Sequence, residues 1–202
     1  MNMRYHNITK DDMLNGDGLR VVLWVAGCDH CCRGCHNPMT WDPDGGVPFD
    51  DAAKAEIFEQ LEKPYIEGIT FSGGDPLHCA NREDVKNLAK EIKERFPNKS
   101  IWIYTGYEWR DAVKFHAVKY ADVLVDGEFM QDRKDDSLMW KGSSNQRVID
   151  VKASLKNGNP DMPVLYCGDY DDIPMGRETA ETGTNIIQFG GSCGIKKNAC
   201  DA

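Results

Sequence analysis

Short apolar runs alternate with helical repeats along the first three quarters of the chain. The run LRVVLWVAG at residues 19–27 is rich in β-branched side chains and ends at a glycine, which predicts a buried strand that enters a loop. Residues 51–62 carry apolar side chains on one side, which predicts a helix. The same order returns with GITFS at residues 68–72 and with a second helix at residues 81–96, which Asn81 is expected to cap.

Two more strands and a helix follow before the pattern changes. The sequence predicts a strand at residues 101–107, a helix at residues 108–120, a strand at residues 121–129 and a last strand at residues 147–151. Strands that alternate with helices of this length pair in parallel, with the helices crossing over the sheet. We therefore predict an α/β fold with mostly parallel strands. Such folds place their chemistry at the carboxyl ends of the strands, where every unusual motif of this chain falls.

The last fifty residues have a different texture. They are rich in Gly, Asp and Asn and show little periodicity, apart from short strands expected at PVLYC and NIIQF. We predict a core domain at residues 1–152 and a partly disordered appendage at residues 153–202. Cys167, Cys193 and Cys200 of this appendage are expected to be free thiols, with a small metal site as the alternative.

Composition narrows the classes of protein that the chain can belong to. A chain of 202 residues buries a sizeable core, so neither disulfides nor a structural metal is needed for folding. The sequence has no apolar stretch of roughly 20 residues and no signal-peptide pattern at its start, so we expect a cytoplasmic protein with reduced thiols. The net charge of −9 disfavours a nucleic-acid partner, and nothing in the sequence suggests a membrane partner.

The segment GCDHCCRGCHN at residues 27–37 concentrates four cysteines and two histidines. Cys28, Cys32 and Cys35 have a spacing that suits three corners of a [4Fe–4S] cluster, which leaves one iron without a thiolate. Structural zinc is the alternative, because Cys28 and Cys31 form one CxxC pair and Cys32 and Cys35 another. The two pairs abut, however, whereas zinc modules usually separate them by a dozen or more residues. Choosing Cys31 over Cys32 is the main competing ligand set.

Several small or polar motifs end the other strands. Gly73, Gly74, Asp75 and Pro76 follow the second strand, where glycines let a ligand approach the backbone closely, although a tight turn also explains them. Further candidates are Tyr104, Thr105 and Gly106 after the third strand, Asp126 and Gly127 after the fourth, the NGDG turn at residues 15–18, and the polar segment at residues 140–147. We predict that these motifs surround one face of the sheet. His30 and His36 are expected to be solvated or hydrogen-bonded side chains rather than metal ligands.

These motifs resemble a known family. Cys-x3-Cys-x2-Cys followed one strand later by GGDP is similar to the radical S-adenosylmethionine superfamily. NGDGLR, GCxHxCxGCxNPxTW, SGGDPL, YTGY, VLVDGEF and KGSSNQR together resemble the activating enzymes of anaerobic ribonucleoside-triphosphate reductases, over residues 5–150. The resemblance implies a partial, open (β/α) barrel of radical S-adenosylmethionine type.

The resemblance also implies the cofactors and the site residues. Cys28, Cys32 and Cys35 would hold the [4Fe–4S] cluster, and S-adenosylmethionine would bind its free iron. The S-adenosylmethionine contacts that it implies are Gly34, Cys35, His36, Gly73, Gly74, Asp75, Pro76, Tyr104, Thr105, Gly106 and Asp126. Two features depart from the superfamily: Gly34 stands where many members have an aromatic residue, and Cys31 is an additional thiol.

The implied reaction is reductive cleavage of S-adenosylmethionine to a 5′-deoxyadenosyl radical. That radical would take a hydrogen atom from a glycine near the C-terminus of the large reductase subunit, and a low-potential donor such as flavodoxin would supply the electron. One alternative is a radical enzyme that acts on a small molecule, similar to the 7-carboxy-7-deazaguanine synthases. Others are an activating enzyme of the pyruvate formate-lyase type and a non-catalytic zinc or electron-transfer module.

Overall fold

The computed structural model describes residues 3–168, which form one seven-stranded sheet with helices packed against it. The strands are β1 (Arg4–Asp12), β2 (Arg20–Val25), β3 (Val47–Pro48), β4 (Gly68–Gly73), β5 (Ser100–Tyr104), β6 (Val123–Asp126) and β7 (Arg147–Asp150). The α-helices are α1 (Asp51–Leu61), α2 (Arg82–Arg95), α3 (Trp109–Ala112) and α4 (Val151–Asn157). Three 3₁₀ turns occupy Pro38–Thr40, His116–Tyr120 and Gln131–Arg133.

The strands lie in the order β3-β1-β2-β4-β5-β6-β7. The central strands β2, β4, β5 and β6 are parallel to one another, whereas β1, β3 and β7 pair antiparallel with their neighbours. The prediction of an α/β fold with parallel central strands is therefore confirmed. Within residues 3–168, β3 and β7 form the two edges of the sheet and do not pair with each other, so the sheet is open.

The large core lies between the sheet and the helices. Val21, Leu23 and Val25 of β2 join it, as the continuous apolar run predicts. The helix α1 begins where the side chain of Asp50 accepts the backbone N–H of Ala53, and the buried face of α2 carries Val85, Leu88, Ala89 and Ile92. The parallel pairing of β2, β4, β5 and β6 brings their carboxyl ends to one edge of the sheet.

A smaller apolar cluster covers the opposite face of the sheet. Trp102, Val123 and Val125 are buried there, and Trp140 and Tyr166 pack on them. The ring of Trp102 meets Trp140 edge to face at a centroid distance of 5.1 Å and meets Tyr166 at 5.3 Å. The segment that follows β6 therefore folds back over this face of the sheet and covers part of it.

The side chain of Arg20 links the first residues of the parallel strands β2, β4 and β5 in the interior of the protein. Its guanidinium is fully buried and donates to the hydroxyl groups of Thr70 and Ser100 and to the carbonyl groups of Asp17, Ile69 and Ser100. Burial lowers the pKa of Arg20 to about 10, which leaves the guanidinium charged at neutral pH. The sequence alone gives no sign that this arginine is buried.

Five elements differ from the sequence predictions. β3 and α4, which span two and seven residues, were not predicted. β1 was not predicted, because most of its side chains are only partly buried and its apolar residues are few. β7 was predicted as a parallel strand but pairs antiparallel with β6. The helix predicted at residues 108–120 is interrupted, because Phe115 adopts an extended backbone between α3 and the turn at His116–Tyr120.

The described chain continues past the predicted domain boundary at residue 152. Its compact unit extends to Tyr166 and includes α4 and an isolated bridge from Leu165 to Ile149. Cys167 is disulfide-bonded, so the expectation of a free thiol at this position was wrong. Cys193, Cys200, the strand expected at NIIQF and most of the predicted appendage lie outside the described residues. Between residues 3 and 168, no helix has the length and apolar character required to span a bilayer.

Candidate active site at the carboxyl ends of the parallel strands

A cavity of about 380 Å³ lies at the carboxyl ends of the parallel strands, and we call it the strand-end cavity. Its lining residues are Leu14, Asn15, Cys28, His30, Cys32, Cys35, His36, Trp41, Ser72, Gly73, Gly74, Asp75, Tyr104, Thr105, Gly106, Gly127, Phe129, Leu138, Trp140, Lys141, Gly142 and Gln146. The motifs named from the sequence thus meet at one place, although Asn15 of the NGDG turn and Gln146 of the polar segment are more than a hundred residues apart in the chain.

The cysteine loop, residues 27–37, presents three of its four thiols to this cavity. Cys28, Cys32 and Cys35 are partly buried lining residues. Cys31 is exposed, does not line the cavity and has a left-handed backbone with a φ of 49°. Adjacent cysteines therefore point in different directions, and the Cys-x3-Cys-x2-Cys set is the one that shares the cavity.

Each of the three cavity thiols has a backbone N–H group nearby. The N–H group of Asn37 donates to the sulfur of Cys35, with 3.4 Å between nitrogen and sulfur. The backbone N–H groups of His30 and of Phe129, in the segment after β6, act to lower the pKa of Cys28 and of Cys32 respectively, but burial outweighs them. Such N–H groups stabilise negative charge on sulfur, which a thiolate-bound iron cluster requires.

Cys28 and Cys32 are poorly ionised without a metal. Burial raises the pKa of Cys28 to about 12, and burial followed by the neighbouring carboxylate of Glu128 also raises the pKa of Cys32. Metal binding displaces thiol protons, so three such cysteines around one cavity suit a positively charged metal cluster. Among residues 3–168, no three His, Cys, Asp or Glu side chains are grouped as ligands of a single metal ion.

The GGDP turn packs directly against the cysteine loop. A Cβ atom at Gly74 would lie 2.5 Å from the carbonyl oxygen of Gly27, and one at Gly73 would lie 2.8 Å from the backbone of Val25. The N–H groups of Gly74 and Asp75 donate to the carbonyl groups of Val25 and Gly27. The glycines therefore allow close packing of two strand ends, and these two N–H groups are already used within the protein.

Asp75 is the polar centre of the site, and its side chain is 2% exposed. Its carboxylate accepts from the backbone N–H of Leu77 at 2.7 Å, the hydroxyl of Thr105 at 2.8 Å and the backbone N–H of Gly106 at 3.1 Å. The ring of His30 makes a further contact, with Nε2 2.8 Å from Oδ2 of Asp75. Asp75 thereby joins the ends of β4 and β5 to the cysteine loop.

His30 is the site residue that the sequence analysis undervalued. Its Nδ1 atom lies 3.2 Å from Glu128, its ring meets Tyr107 edge to face at 4.8 Å, and it lies against Gly106. The hydrogen bond to Asp75 is the main reason that the pKa of His30 is raised. Spacing in the sequence gives no sign of these contacts, because the partners follow three different strands.

Most of the other predicted site residues line the strand-end cavity. Tyr104, Thr105, Gly106, His36, Gly73 and Gly74 line the cavity, as does Asn15 of the NGDG turn. The hydroxyl of Tyr104 is buried and has no hydrogen-bond partner among residues 3–168, and burial raises its pKa. Trp41, Leu138 and Phe129 were not predicted and also line the cavity.

Gly34, Pro76 and Asp126 do not line the cavity. A Cβ atom at Gly34 would lie 1.9 Å from the side-chain oxygen of Gln131, so this glycine permits the segment after β6 to pack on the cysteine loop. The carboxylate of Asp126 pairs with the guanidinium of Arg147, at 3.0 Å from Nε, and accepts the backbone N–H of Trp109 at 2.7 Å. Its contacts are structural ones between β6, β7 and α3.

Comparisons with known proteins agree with this geometry. A family model described as a 4Fe-4S single cluster domain matches residues 14–149. The anaerobic ribonucleoside-triphosphate reductase-activating protein of Enterobacteria phage T4 is 44% identical over 146 residues, which make up 72% of this chain and 93% of the phage protein.

Two bacterial proteins with the same name show a similar match. That of Escherichia coli (strain K12) is 45% identical over 150 residues, or 72% of this chain and 97% of its own length. That of Pasteurella multocida (strain Pm70) is 41% identical over 152 residues, or 72% of this chain and 96% of its own length. The chain belongs to the family of anaerobic ribonucleoside-triphosphate reductase-activating proteins, and it carries a 4Fe-4S single cluster domain.

Proposed function

We propose that the protein activates an anaerobic ribonucleoside-triphosphate reductase by generating a glycyl radical on its large subunit. Cys28, Cys32 and Cys35 would hold a [4Fe–4S] cluster, and S-adenosylmethionine would bind at the iron that no cysteine holds. The observation that carries the proposal is the set of three thiols on the wall of one cavity, with the fourth cysteine of the loop exposed to solvent. When bound, the cluster and S-adenosylmethionine supply a 5′-deoxyadenosyl radical after transfer of one electron.

The protein's own residues position and shield this chemistry. The backbone N–H groups at His30, Asn37 and Phe129 favour electron-rich sulfur at the three thiolates. Gly73 and Gly74 let the end of β4 pack closely against the cysteine loop, and both line the cavity in which S-adenosylmethionine would bind. Trp41, Tyr104 and Trp140 exclude water from the remaining walls of the cavity.

The partner and the fold complete the proposal. The hydrogen donor is a glycine near the C-terminus of the reductase subunit, since a glycine Cα has no side chain and can become planar. The sheet is a partial barrel of radical S-adenosylmethionine type, and its open edge admits a loop of another protein. The protein works in the cytoplasm, where a low-potential donor such as flavodoxin supplies the electron.

Electron paramagnetic resonance tests the function. Anaerobically reconstituted protein, S-adenosylmethionine, a reductant and the large reductase subunit are mixed, and the spectrum is recorded at low temperature. We expect a glycyl-radical doublet that disappears when the glycine of the subunit is replaced by alanine. Cleavage of S-adenosylmethionine without any protein radical would contradict activation and favour a small-molecule substrate.

A further inference from the structure

The cysteine loop contains two adjacent thiols, and the sequence does not say which one binds iron. Cys32 lines the strand-end cavity, whereas Cys31 faces solvent. This arrangement requires the left-handed backbone at Cys31, whose φ is 49°. A non-glycine residue in this region is strained by roughly 1 kcal/mol, and such strain persists only where the surroundings hold it in place. Something beside Cys31 must therefore fix the turn.

His30 immediately precedes Cys31 and is held on several sides. Its ring nitrogens lie 2.8 Å from the carboxylate of Asp75 and 3.2 Å from that of Glu128. The ring also packs against Tyr107 and Gly106, and the side chain is 14% exposed. These partners follow β4, β5 and β6, so His30 is attached to the ends of three parallel strands.

Cys32 is fixed from the other side of the turn. Its thiol lies close to the backbone N–H group of Phe129, which is next to Glu128 in the chain, and both Cys32 and Phe129 line the strand-end cavity. The short segment around Cys31 is thus held at both ends by residues of the same loop after β6. A rotation that brought Cys31 inward would have to remove the His30 ring from between Asp75 and Glu128.

We infer that His30 is a positioning residue that selects Cys32 over Cys31 as the cluster ligand. Its contacts hold the left-handed turn, which points the Cys31 thiol away from the cavity and the Cys32 thiol into it. The inference rests on the cysteine ligand set of the proposed function. Its geometric part, the unequal exposure of the two thiols, holds for the protein without metal as well.

Alkylation of the metal-free protein tests the geometric part. Anaerobic apoprotein is treated with iodoacetamide for increasing times, and the rates at Cys31 and Cys32 are determined by peptide mass spectrometry. In the wild-type protein Cys31 reacts faster than Cys32. In His30→Ala the ratio of the two rates falls at least about tenfold, the effect of losing a hydrogen bond to a charged partner. His30→Gln, which keeps a side-chain donor for Asp75, restores part of the ratio.

Two further variants keep the test decisive if His30→Ala does not fold. Glu128→Ala removes one of the two carboxylates that contact His30 and leaves Asp75 in place. Because the Glu128 side chain is 55% exposed, we expect a smaller fall in the ratio of the two alkylation rates. His116→Ala, at an exposed histidine of the turn after α3, is the matched control and leaves the ratio unchanged. A wild-type ratio in folded His30→Ala, or in Glu128→Ala if His30→Ala is unfolded, would overturn the inference.

Iron content tests the selection of the ligand itself. Cys32→Ala is expected to lose most of its iron on reconstitution, and the double variant His30→Ala/Cys32→Ala to regain part of it, because Cys31 is then free to turn inward. Equal iron in the single and double variants would mean that His30 does not select the ligand. If wild-type protein binds no iron but His30→Ala still lowers the alkylation ratio, the proposed function fails and the positioning of the two thiols by His30 stands.

Discussion

At the scale of single residues, backbone conformation decides what chemically identical side chains do. Cys31 and Cys32 are neighbours, but only Cys32 lines the strand-end cavity, because the left-handed turn separates the directions of their thiols. Spacing along the sequence leaves both ligand sets open. The structure favours the set in which three thiols share one cavity.

Alanine substitutions of the four cysteines should separate them into two classes. We expect Cys28→Ala, Cys32→Ala and Cys35→Ala to abolish reductive cleavage of S-adenosylmethionine, because each removes a proposed thiolate ligand of the cluster. Cys31→Ala should keep most of the activity. The assay is the amount of 5′-deoxyadenosine formed under anaerobic conditions with an excess of reductant. Loss of product in Cys31→Ala with normal product in Cys32→Ala would reverse the ligand assignment.

The buried Arg20 should be essential for stability rather than for chemistry. Replacing it by methionine leaves the carbonyl groups of Ile69 and Ser100 without their donor, and we expect a loss of about 3 kcal/mol in the free energy of unfolding. Urea denaturation of the apoprotein measures this loss. Arg110→Met is the control, since Arg110 is exposed and pairs with Asp161 at the surface, where such pairs contribute at most about 1 kcal/mol. Equal stability of the two variants would refute this role.

At the scale of elements, the segment after β6 has a larger role than its sequence suggests. It supplies the N–H group of Phe129 to Cys32, and its Gln131 side chain packs on Gly34. Its motifs could be recognised in the sequence, but their contacts with the cysteine loop could not, because nearly a hundred residues separate the two in the chain.

The N–H group of Phe129 should tune the cluster. In Phe129→Pro the group is absent, so the reduced cluster is less stabilised and its reduction potential should become more negative. Phe129→Ala keeps the N–H group and serves as the control for loss of the ring. Anaerobic redox titration measures both potentials. If the two variants have the same potential and the same iron content, the hydrogen bond has no influence on the cluster.

Asp122 lies just before β6 and links this strand to β5, α2 and α4. It accepts the N–H of Ile101 in β5 and pairs with Lys93 of α2 and Lys152 of α4. Burial on its own raises the pKa of Asp122, but the contacts with Lys152, Lys93 and Ile101 outweigh burial and the pKa is lowered. A lowered pKa means that the carboxylate stabilises the fold above the ordinary Asp pKa of about 3.9 and loses this effect as the pH falls further.

Acid unfolding checks this contribution of Asp122. Asp122→Asn should be less stable than the wild type near pH 6, and the difference should shrink as the pH falls below about 4. Urea denaturation at several pH values gives both curves. A difference that stays constant from pH 6 to pH 2 would show that the charge of Asp122 does not stabilise the fold.

At the scale of the whole molecule, the sequence predicts the central parallel strands better than the outer strands of the sheet. The parallel strands β2, β4, β5 and β6 could be predicted because they are buried on both faces and read as continuous apolar runs. β1 and the direction of β7 could not, since most side chains of β1 are only partly buried and the pairing of both strands depends on distant residues. The position of the strand-end cavity could be predicted from these strands, because parallel strands bring their carboxyl ends to one edge of the sheet.

Contacts between distant strand ends are what the sequence could not supply. The positions of Cys28, Cys32 and Cys35 in one cavity agree with their spacing, but the role of His30 depends on Asp75 and Glu128, which follow other strands. Asp126 shows the opposite case, because its place at a strand end suggested a ligand contact, whereas its carboxylate pairs with Arg147. Residue type and spacing thus identify the donors of a site, and the fold decides which of them face it.

The most direct test of the account is the electron paramagnetic resonance spectrum of the reconstituted, reduced protein before and after addition of S-adenosylmethionine. The account predicts the signal of a reduced [4Fe–4S] cluster whose shape changes when S-adenosylmethionine is added, since the compound binds the iron that no cysteine holds. A protein without any iron–sulfur signal, or a cluster signal that S-adenosylmethionine leaves unchanged, would contradict it.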